Sequence, residues 1–367
     1  MAAITTAPEV EQRDALVGRL FAASVGAFDL AVIYIGDRLG LYRVLADGGP
    51  ASAPELAERA GIHGRYAREW LEHQAVGGIL DVDDPAGAAD ERRYSLPAAH
   101  AEVLLDPDSL ATMAPMARFL VGGIQRMPDL LAAFRSGEGV AWDAYGPDVR
   151  EAQASFNRPG LLHLLATEWI PAMPDVDERL RSDPPARVAD IACGAGWSTI
   201  AIARGYPGVR VDGLDLDPAS IELAQANLAA APDVGDRVTF AARDAADPAL
   251  SGRYDLVLIV EAVHDMSQPV AVLRAARGLL APGGAALIVD ENVAESFTVP
   301  GDDLERILYS YSILFCLPNG LADQPSVGTG TVMRPAVLEA MALEAGFSTV
   351  TILPIEHDAF RFYRLDP

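Results

Sequence analysis

A short glycine-containing segment in the middle of this 367-residue chain has the residue types and spacing of a nucleoside-binding loop. Residues 188–196 run from an apolar stretch, typical of a buried strand, into Gly194 and Gly196, and a predicted helix follows. A second predicted strand, residues 211–214, ends at Asp215, 19 residues after Gly196. Glycine lets a backbone approach a ligand closely, and a carboxylate at the tip of the next strand can accept both hydroxyls of a ribose.

The residues around this loop favour a nucleoside that carries no phosphate. A dinucleotide fingerprint has a third small residue after the two glycines, and its helix N-terminus faces a pyrophosphate. This chain has Thr199 at the third position, and Asp190 ends the first strand. Because a carboxylate there would repel a pyrophosphate, the loop suits a ligand with a cationic tail. S-adenosylmethionine has that chemistry, since it carries a sulfonium, an ammonium and a ribose.

With these residues, the chain resembles the class I S-adenosylmethionine-dependent methyltransferases, whose first motif usually has the pattern Asp-x-Gly-Cys-Gly-x-Gly. Ala192 stands where the first glycine is usual. The resemblance covers about residues 185–365 and implies an α/β fold with a Rossmann-like seven-stranded sheet. Further motifs follow in the family's order: a third strand over residues 238–244, a fourth over 254–260, a Pro-Gly-Gly turn at 282–284, a fifth strand over 285–289 and a final hairpin over 350–363.

The resemblance implies a cofactor site at the carboxyl ends of these strands, where ligands of open α/β sheets bind. The pair that follows the third strand matches the residues that hold the adenine in the family. We expect S-adenosylmethionine to be the cofactor. The expected contacts are Asp190, Gly194, Gly196, Asp215, Leu216, Asp244, Ala245 and Glu261.

The fourth strand leads into a histidine that could act as a base. In plant-type O-methyltransferases this position has the sequence His-Asp-Trp-Ser-Asp, and the histidine is the general base. This chain keeps His264, Asp265 and Ser267 but has Met266 and Gln268 in place of the tryptophan and the second aspartate. Methyl transfer to a phenol requires deprotonation as the oxygen attacks, and imidazole titrates near neutral pH. The sequence therefore predicts an O-methyltransferase with His264 as its general base.

Two neighbouring carboxylates after the fifth strand are candidates for holding the His264 ring. Glu291 aligns with a carboxylate that flanks the histidine in the same family, and Asp290 is the competing choice. Either side chain could stabilise the imidazolium from the adjacent strand end. We expect metal independence, because no carboxylate and histidine cluster has the spacing of a metal site.

The first hundred residues predict a separate winged-helix domain. Helices are indicated over residues 30–45, from the capping pair Ser52 and Glu55, and over residues 64–75, and a polar hairpin over residues 78–96 follows. The domain resembles the N-terminal domain of plant-type and bacterial small-molecule O-methyltransferases, which implies dimerisation and capping of the acceptor pocket. Nine arginines against fifteen acidic residues in this region argue against DNA binding.

Residues 106–180 predict a helical linker. We expect a helix over residues 109–134 that breaks at a Gly-Gly pair, an aromatic loop over residues 142–147, and a helix over residues 150–170. Later in the chain, residues 294–346 predict a helical insertion that could roof the acceptor. In the resembled family the linker region lines the acceptor pocket. The candidate substrate-binding residues are Trp142, Tyr145, Asn157 and His163.

Composition predicts a soluble cytoplasmic enzyme. Half of the residues are hydrophobic, the acidic first residues lack the apolar core of a signal peptide, and Asp29 interrupts the apolar stretch at residues 22–36. Cys193 and Cys316 give no disulfide framework. All 28 basic residues are arginine, which excludes Schiff-base lysine chemistry, and the net charge of −24 argues against a nucleic-acid partner.

These observations predict three regions: a winged-helix domain over residues 1–105, the linker over 106–180, and a methyltransferase domain over 181–367. We predict a homodimer that methylates a hydroxyl of a small molecule and binds no membrane. Two alternatives remain open. One is a fold member that binds S-adenosylmethionine but catalyses a different reaction, such as a cyclisation or a decarboxylation. The other is a ligand-responsive regulator that uses the winged helix.

Overall fold

The computed structural model describes residues 6–245, 250 and 253–367. The chain forms two compact units, Met1–Ile124 and Gln125–Pro367. The division falls inside the segment expected to be a linker, so the beginning of that segment groups with the N-terminal unit and the remainder with the C-terminal unit.

The N-terminal unit consists of helices and one small hairpin. The strands β1 and β2 pair antiparallel and form the expected wing. Tyr42, Trp70 and Leu71 are buried between the helices, and the rings of Tyr42 and Trp70 meet edge to face at 5.1 Å. The elements are α1 (Ala7–Arg38), α2 (Leu41–Gly48), α3 (Ala53–Ala60), α4 (Gly64–Val76), β1 (Asp81–Val82), β2 (Tyr94–Ser95), α5 (Ala98–Leu105) and α6 (Ala114–Gln125).

The predicted start of α3 is confirmed. Ser52 precedes the first helical residue, and its backbone N–H donates a hydrogen bond of 2.8 Å to the Glu55 carboxylate. This bond satisfies one amide that the first helical turn leaves without a partner.

The helix expected over residues 30–45 is wrong in its bounds. Instead, α1 spans 32 residues and ends before Gly40, whose φ of 66° breaks the helix, and α2 begins at Leu41. By length and composition α1 could cross a membrane, although Asp29 interrupts its apolar residues. The most apolar part of this helix is not buried in the structure.

The Gly-Gly pair of the linker also behaves differently from the expectation. Gly122 and Gly123 lie inside α6 and are buried, and the helix ends at Gln125. Arg126 separates it from the next helix. The cost of glycine in a helix is about 1 kcal/mol per residue, which the packing of a buried face can exceed.

The C-terminal unit contains a seven-stranded sheet in the order β5-β4-β3-β6-β7-β9-β8, parallel except for β9. Val188 and Leu258 on one face of the central strands and Val257 and Ile288 on the other are fully buried, as expected when helices cover both faces. The predicted sheet is therefore confirmed. The strands are β3 (Arg187–Ile191), β4 (Arg210–Asp215), β5 (Val238–Ala242), β6 (Tyr254–Val260), β7 (Leu280–Glu291), β8 (Thr349–Ile352) and β9 (Phe360–Asp366).

Two strand details differ from the sequence prediction. β5 ends at Ala242, before the Asp244 position that we included in the strand. The Pro-Gly-Gly sequence lies within β7 rather than before it, and the pairing of β6 with β7 shifts register next to Tyr254.

The helices of this unit include two π-helical turns. One, Leu165–Trp169, continues α8, and the other, Ser312–Cys316, joins α13 to α14. Such turns often occur at functional sites. The helices are α7 (Met127–Ser136), α8 (Gly146–Leu164), α9 (Pro174–Arg181), α10 (Trp197–Gly205), α11 (Pro218–Ala229), α12 (Pro269–Leu279), α13 (Asp303–Tyr311), α14 (Leu317–Ala322) and α15 (Pro335–Ala345).

Candidate active site

The glycine loop connects β3 to α10 and is open at Gly194. A Cβ atom at Gly194, where φ is 52°, would meet no atom within 4 Å. At Gly196, where φ is 79°, a Cβ would lie 2.3 Å from the Phe240 ring, so packing as well as conformation requires glycine. The Gly194 N–H donates a hydrogen bond of 2.9 Å to Asp215, which ties the loop to the end of β4.

Asp190 holds the first turn of α10. Its Oδ2 atom accepts hydrogen bonds from the hydroxyls of Ser198, at 2.6 Å, and Thr199, at 2.5 Å. Burial raises the pKa of Asp190 to about 6, although both hydroxyl donors oppose the shift. Thr199, which distinguishes this loop from a dinucleotide fingerprint, therefore has a structural partner in β3, the strand that precedes the loop.

The ends of β4 and β5 form the second part of the expected cofactor site. Asp215 is oriented by a hydrogen bond of 2.8 Å from the Asp217 backbone N–H, and burial raises its pKa. The adjacent Leu216 is 74% exposed. Beyond β5, Asp244 is exposed and Ala245 is buried. An oriented carboxylate beside an exposed apolar side chain fits a ribose and an adenine, and the open face at the glycine loop fits the rest of S-adenosylmethionine.

Glu261 follows β6 directly and has an unusual backbone conformation. Its φ is 48°, which is rare for a residue with a side chain and common at functional sites. The Glu261 Oε2 atom accepts hydrogen bonds from the side-chain amides of Gln153, at 2.8 Å, and Asn157. Burial raises the pKa of Glu261 to about 7. The structure thus brings together one expected cofactor residue and one expected substrate residue.

The helix α8 crosses the carboxyl edge of the sheet with one polar face. Arg150, Gln153 and Asn157 lie on that face at the spacing of successive helical turns. Arg150 pairs with Asp217 after β4 at 3.0 Å, whereas the two amides reach Glu261 after β6. Since β3 lies between β4 and β6, α8 spans the strand that carries the glycine loop. The sequence analysis did not single out Arg150 or Gln153, although their spacing was visible.

His264 is buried and its ring is held from the end of β7. The imidazole is 2% exposed, and its Nδ1 atom lies 2.8 Å from Asp290 Oδ1 in a hydrogen bond. Glu291 Oε2 lies 3.0 Å from the same nitrogen. The structure therefore brings both carboxylates to the imidazole, and the ring hydrogen bond goes to Asp290.

His264, Asp290 and Glu291 differ in how the site shifts their pKa values. Burial opposes charge on His264, but Glu291 and Asp290 outweigh that effect and hold the His264 pKa well above its usual value. Burial works against ionisation of Asp290 as well, and the charge of His264 keeps its pKa low. Burial raises the pKa of Glu291 well above its ordinary range. Asp290 is therefore ionised, so it can only accept a hydrogen bond, and His264 Nδ1 carries the proton.

The insertion after β7 supplies further neighbours of His264 that the sequence analysis missed. The Cys316 thiol, in the second π-helical turn, is within hydrogen-bonding reach of the imidazole, and burial raises its pKa. Burial raises the pKa of Tyr311, and the nearby Glu261 carboxylate raises it further. Asn319 donates a hydrogen bond of 3.3 Å to Asp265. Only the three-dimensional fold reveals these contacts.

Potential metal ligands also converge on His264, which the sequence spacing did not indicate. Asp265 and Cys316 form one group with the imidazole, and Asp290 and Glu291 form another. Within each group the ligand atoms lie within 4.8 Å of one another.

The remaining substrate candidates lie in different environments. Tyr145 is buried, and its hydroxyl donates a hydrogen bond of 2.6 Å to the carbonyl of Leu314, in the second π-helical turn. The Trp142 ring lies 6.2 Å from the Tyr145 ring. His163 is exposed and lies six residues after Asn157, on a different face of α8.

Comparison with known proteins identifies the family. A methyltransferase domain model matches residues 189–286, and a model of the Rv2258c-like winged HTH domain matches residues 27–105. The chain is 31% identical over 277 residues to 3-hydroxy-5-methyl-1-naphthoate 3-O-methyltransferase of Streptomyces sahachiroi, covering 72% of this chain and 74% of the relative. This chain therefore belongs to the S-adenosylmethionine-dependent O-methyltransferase family of enzymes.

Other relatives match over less of their length or at lower identity. The chain spans 48% of norajmaline N-methyltransferase of Rauvolfia serpentina, at 29% identity over 36% of this chain. It superposes on mitomycin 7-O-methyltransferase MmcR with a TM-score of 0.66, at 22% identity, over 97% of this chain and 99% of that one. Human N-acetylserotonin methyltransferase, solved in complex with S-adenosylmethionine, gives a TM-score of 0.66 at 17% identity, over 100% and 99% of the two chains. These structural likenesses support the fold.

Proposed function

We propose that this enzyme transfers a methyl group from S-adenosylmethionine to a hydroxyl of a small molecule, with His264 as the general base. The observation that carries the proposal is the hydrogen bond between His264 and Asp290 at the ends of β6 and β7. An ionised carboxylate on Nδ1 fixes the ring tautomer and leaves Nε2 as the nitrogen that can accept a proton.

The order of strands supports an arrangement with donor and base side by side. The expected adenine, ribose and glycine-loop positions follow β5, β4 and β3, and the base follows β6, which is next in the sheet. When bound, S-adenosylmethionine supplies an electrophilic methyl group on a sulfonium sulfur. The chain's own contribution is to align the acceptor oxygen and to hold its proton at His264.

The burial of His264 has a chemical consequence for the acceptor. A hydroxyl that reaches Nε2 is removed from water and contacts an imidazole that lies beside Asp290 and Glu291. Those charges stabilise the imidazolium that forms when the acceptor loses its proton. Phenols suit this site better than aliphatic alcohols, because their pKa near 10 is within reach of a raised imidazole pKa.

Calorimetry and product mass test the proposal. We expect S-adenosylmethionine and S-adenosylhomocysteine to bind and to raise the melting temperature, since they bind the folded state. Asp215→Ala should weaken binding by about 1.5–3 kcal/mol, the contribution of a hydrogen bond to a charged group. A screen of phenols, polyketides and amines should give products heavier by one methylene group. Binding of NAD without binding of S-adenosylmethionine would refute the proposal, and a product of any other mass would indicate a diverted reaction.

We also propose that the protein is a homodimer formed through α1. Val17, Phe21, Val25 and Phe28 recur at intervals of four, four and three residues and are 60%, 72%, 46% and 71% exposed. This spacing puts all four side chains on one face of the helix, as in helices that pair with one another. The same helix in a second copy offers a matching face. Location in the cytoplasm belongs to the proposal as well, supported by the free state of both cysteines.

A further inference from the structure

Among the expected cofactor contacts, Glu261 has a carboxylate that is held by side-chain amides from another element. Gln153 and Asn157 both donate to the same oxygen, Oε2, and the two donors come from consecutive turns of α8. Two donors on one oxygen fix the plane of the carboxyl group. Together with the positive φ of Glu261, they indicate that this side chain is positioned at some conformational cost.

The position of Glu261 along the sheet edge places it between the donor and the base. β6 pairs with β3 on one side and with β7 on the other. The glycine loop follows β3, and Asp290 lies at the end of β7. If the ribose is at Asp215 after β4, the methionine part of the cofactor extends along the edge towards β6. The charged sulfur then comes next to Glu261.

The other expected carboxylate near that position, Asp190, already accepts hydrogen bonds from within the protein. Asp190, in β3, uses its Oδ2 atom to accept two hydroxyl hydrogen bonds from α10, the helix that follows the glycine loop. Glu261 has no such partner within its own strand and loop among the contacts of the described residues. Its electrostatic neighbours are His264 and Asp290, and Tyr311 faces it from the insertion.

We infer that Glu261 recognises the positive charge of the methyl donor and thereby distinguishes S-adenosylmethionine from its neutral-sulfur product, S-adenosylhomocysteine. This inference rests on the proposed function. The two ligands share adenosine, ammonium and carboxylate groups and differ at the sulfur. A carboxylate at that point attracts the sulfonium and not the thioether. Once the methyl group has been transferred, the attraction between Glu261 and the sulfur is lost. The enzyme therefore binds S-adenosylhomocysteine less tightly, which favours its exchange for a new molecule of S-adenosylmethionine.

The inference can be tested by counting the protons that are released on ligand binding, without measuring catalysis. Burial raises the Glu261 pKa to about 7, so at pH 7 this carboxyl group is about half protonated. A cation beside it favours the ionised form and releases the proton. Binding of S-adenosylmethionine at pH 7 should therefore release roughly half a proton more than binding of S-adenosylhomocysteine.

Titration calorimetry measures this difference. Both ligands are titrated at pH 7 into the full chain in two buffers of different ionisation enthalpy, and the dependence of the heat on the buffer gives the protons released. The ratio of the two affinities is also measured from pH 6 to pH 7.5. We expect the preference for S-adenosylmethionine to rise by about five- to tenfold over this range, as Glu261 ionises.

Variants assign the effect to this carboxyl group. Glu261→Gln should abolish both the extra proton release and the pH dependence of the ratio. Asn157→Leu removes a donor that favours the ionised form, so the midpoint of the pH dependence should move to higher pH. Glu344→Gln, at an exposed carboxylate in α15, should behave like the wild type.

The outcomes separate the inference from the proposed function. If both ligands bind the wild-type protein with equal proton release and a ratio that does not change with pH, the inference is wrong and the function stands. An unchanged signature in Glu261→Gln assigns the effect to another group and also overturns the inference. If neither ligand binds, the proposed function itself fails. The wild-type measurement does not depend on whether any variant folds.

Discussion

The Nδ1 atom of His264 donates its hydrogen bond to Asp290, at 2.8 Å, and this pair joins the ends of two adjacent parallel strands. Glu291 Oε2 is 3.0 Å from the same nitrogen, so the two neighbouring carboxylates are distinguished by hydrogen-bond geometry and not by proximity. Asp290 orients the ring and also carries charge, whereas Glu291 acts on the ring through charge. Glu291→Gln therefore tests charge alone, and Asp290→Asn tests charge and orientation together.

Replacing Asp290 by asparagine should lower turnover by about ten- to a hundredfold, because one hydrogen bond to a charged group contributes about 1.5–3 kcal/mol. Glu291→Gln should lower it less. Both substitutions remove a negative charge, so both should lower the His264 pKa. Since the base must be unprotonated, activity rises as the pH rises through that pKa, and its acid limb should move to lower pH in both variants. The measurement is kcat/KM against pH. Equal turnover losses in the two variants would contradict the assignment of the orienting bond.

His264→Ala should change S-adenosylmethionine affinity far less than turnover, because the expected ribose and adenine contacts follow β4 and β5 and not β6. Turnover should fall by about 10²–10⁴-fold, the usual effect of losing a positioned base. With a phenolic acceptor, raising the pH should restore part of the activity, since solvent then supplies the phenolate. Near-wild-type turnover at neutral pH would mean that the histidine is structural. The acceptor would then react without a base.

Thr199→Val should destabilise the protein by about 1–3 kcal/mol, because it leaves a buried carboxylate with one hydroxyl donor instead of two. Thr199→Ser is the matched control, since it keeps the hydroxyl that bonds Asp190. Urea unfolding of both variants measures the difference. We also expect weaker S-adenosylmethionine binding in the valine variant, because Asp190 holds the helix turn next to the glycine loop. Equal stability of the two variants would show that this hydrogen bond contributes little.

Phe21→Glu with Phe28→Glu should convert the dimer into a monomer, because two charges on the apolar face of α1 would be buried without partners. Gln12→Glu with Arg19→Glu places two glutamates on the opposite face and should leave the dimer intact. Light scattering after gel filtration measures the mass. A wild-type monomer would refute the dimer, and co-flotation of the wild type with phospholipid vesicles would assign α1 to a membrane surface.

Treatment with EDTA should leave turnover unchanged, because the proposed chemistry uses a base and a sulfonium donor and no Lewis acid. The control is the same enzyme dialysed without chelator, with metal content measured in both samples. Loss of activity that Zn²⁺ or Mg²⁺ restores would show that the carboxylate, thiol and imidazole groups around His264 hold a functional ion.

The strands that carry the expected cofactor site could be predicted because each is a short apolar run between turn residues. β6 has the predicted bounds, and Asp215 ends β4 as predicted. A parallel sheet buried on both faces leaves a strong local signal. The helix α1 could not be predicted in the same way. Its apolar residues remain exposed, and a pattern that assumes a buried face misplaces its end.

The contacts of Glu261 and His264 could not be predicted from local sequence patterns, because they join residues that are far apart in the chain. Gln153 and Asn157 precede Glu261 by 108 and 104 residues, and only the packed fold brings them together. The sequence also could not show whether Asp290 or Glu291 accepts the hydrogen bond of the His264 ring. Both carboxylates lie within 3.0 Å of the same ring nitrogen, so which of them accepts its hydrogen bond depends on the local geometry of the strand end and not on residue type. A family resemblance indicated the pair and could not rank its members.

The π-helical turn Ser312–Cys316 lets the acceptor side of this enzyme tolerate a change in helix length. Such a turn contains one residue more than regular α-helix, so deleting one residue inside it can restore regular α-helix and leave the following side chains in their original directions. A deletion in α13 or α14 would instead rotate every following side chain of the helix by about 100°. A library of single-residue deletions across the turn would therefore change the side chain beside the imidazole, while the glycine loop and the ends of β4 and β5 keep their positions.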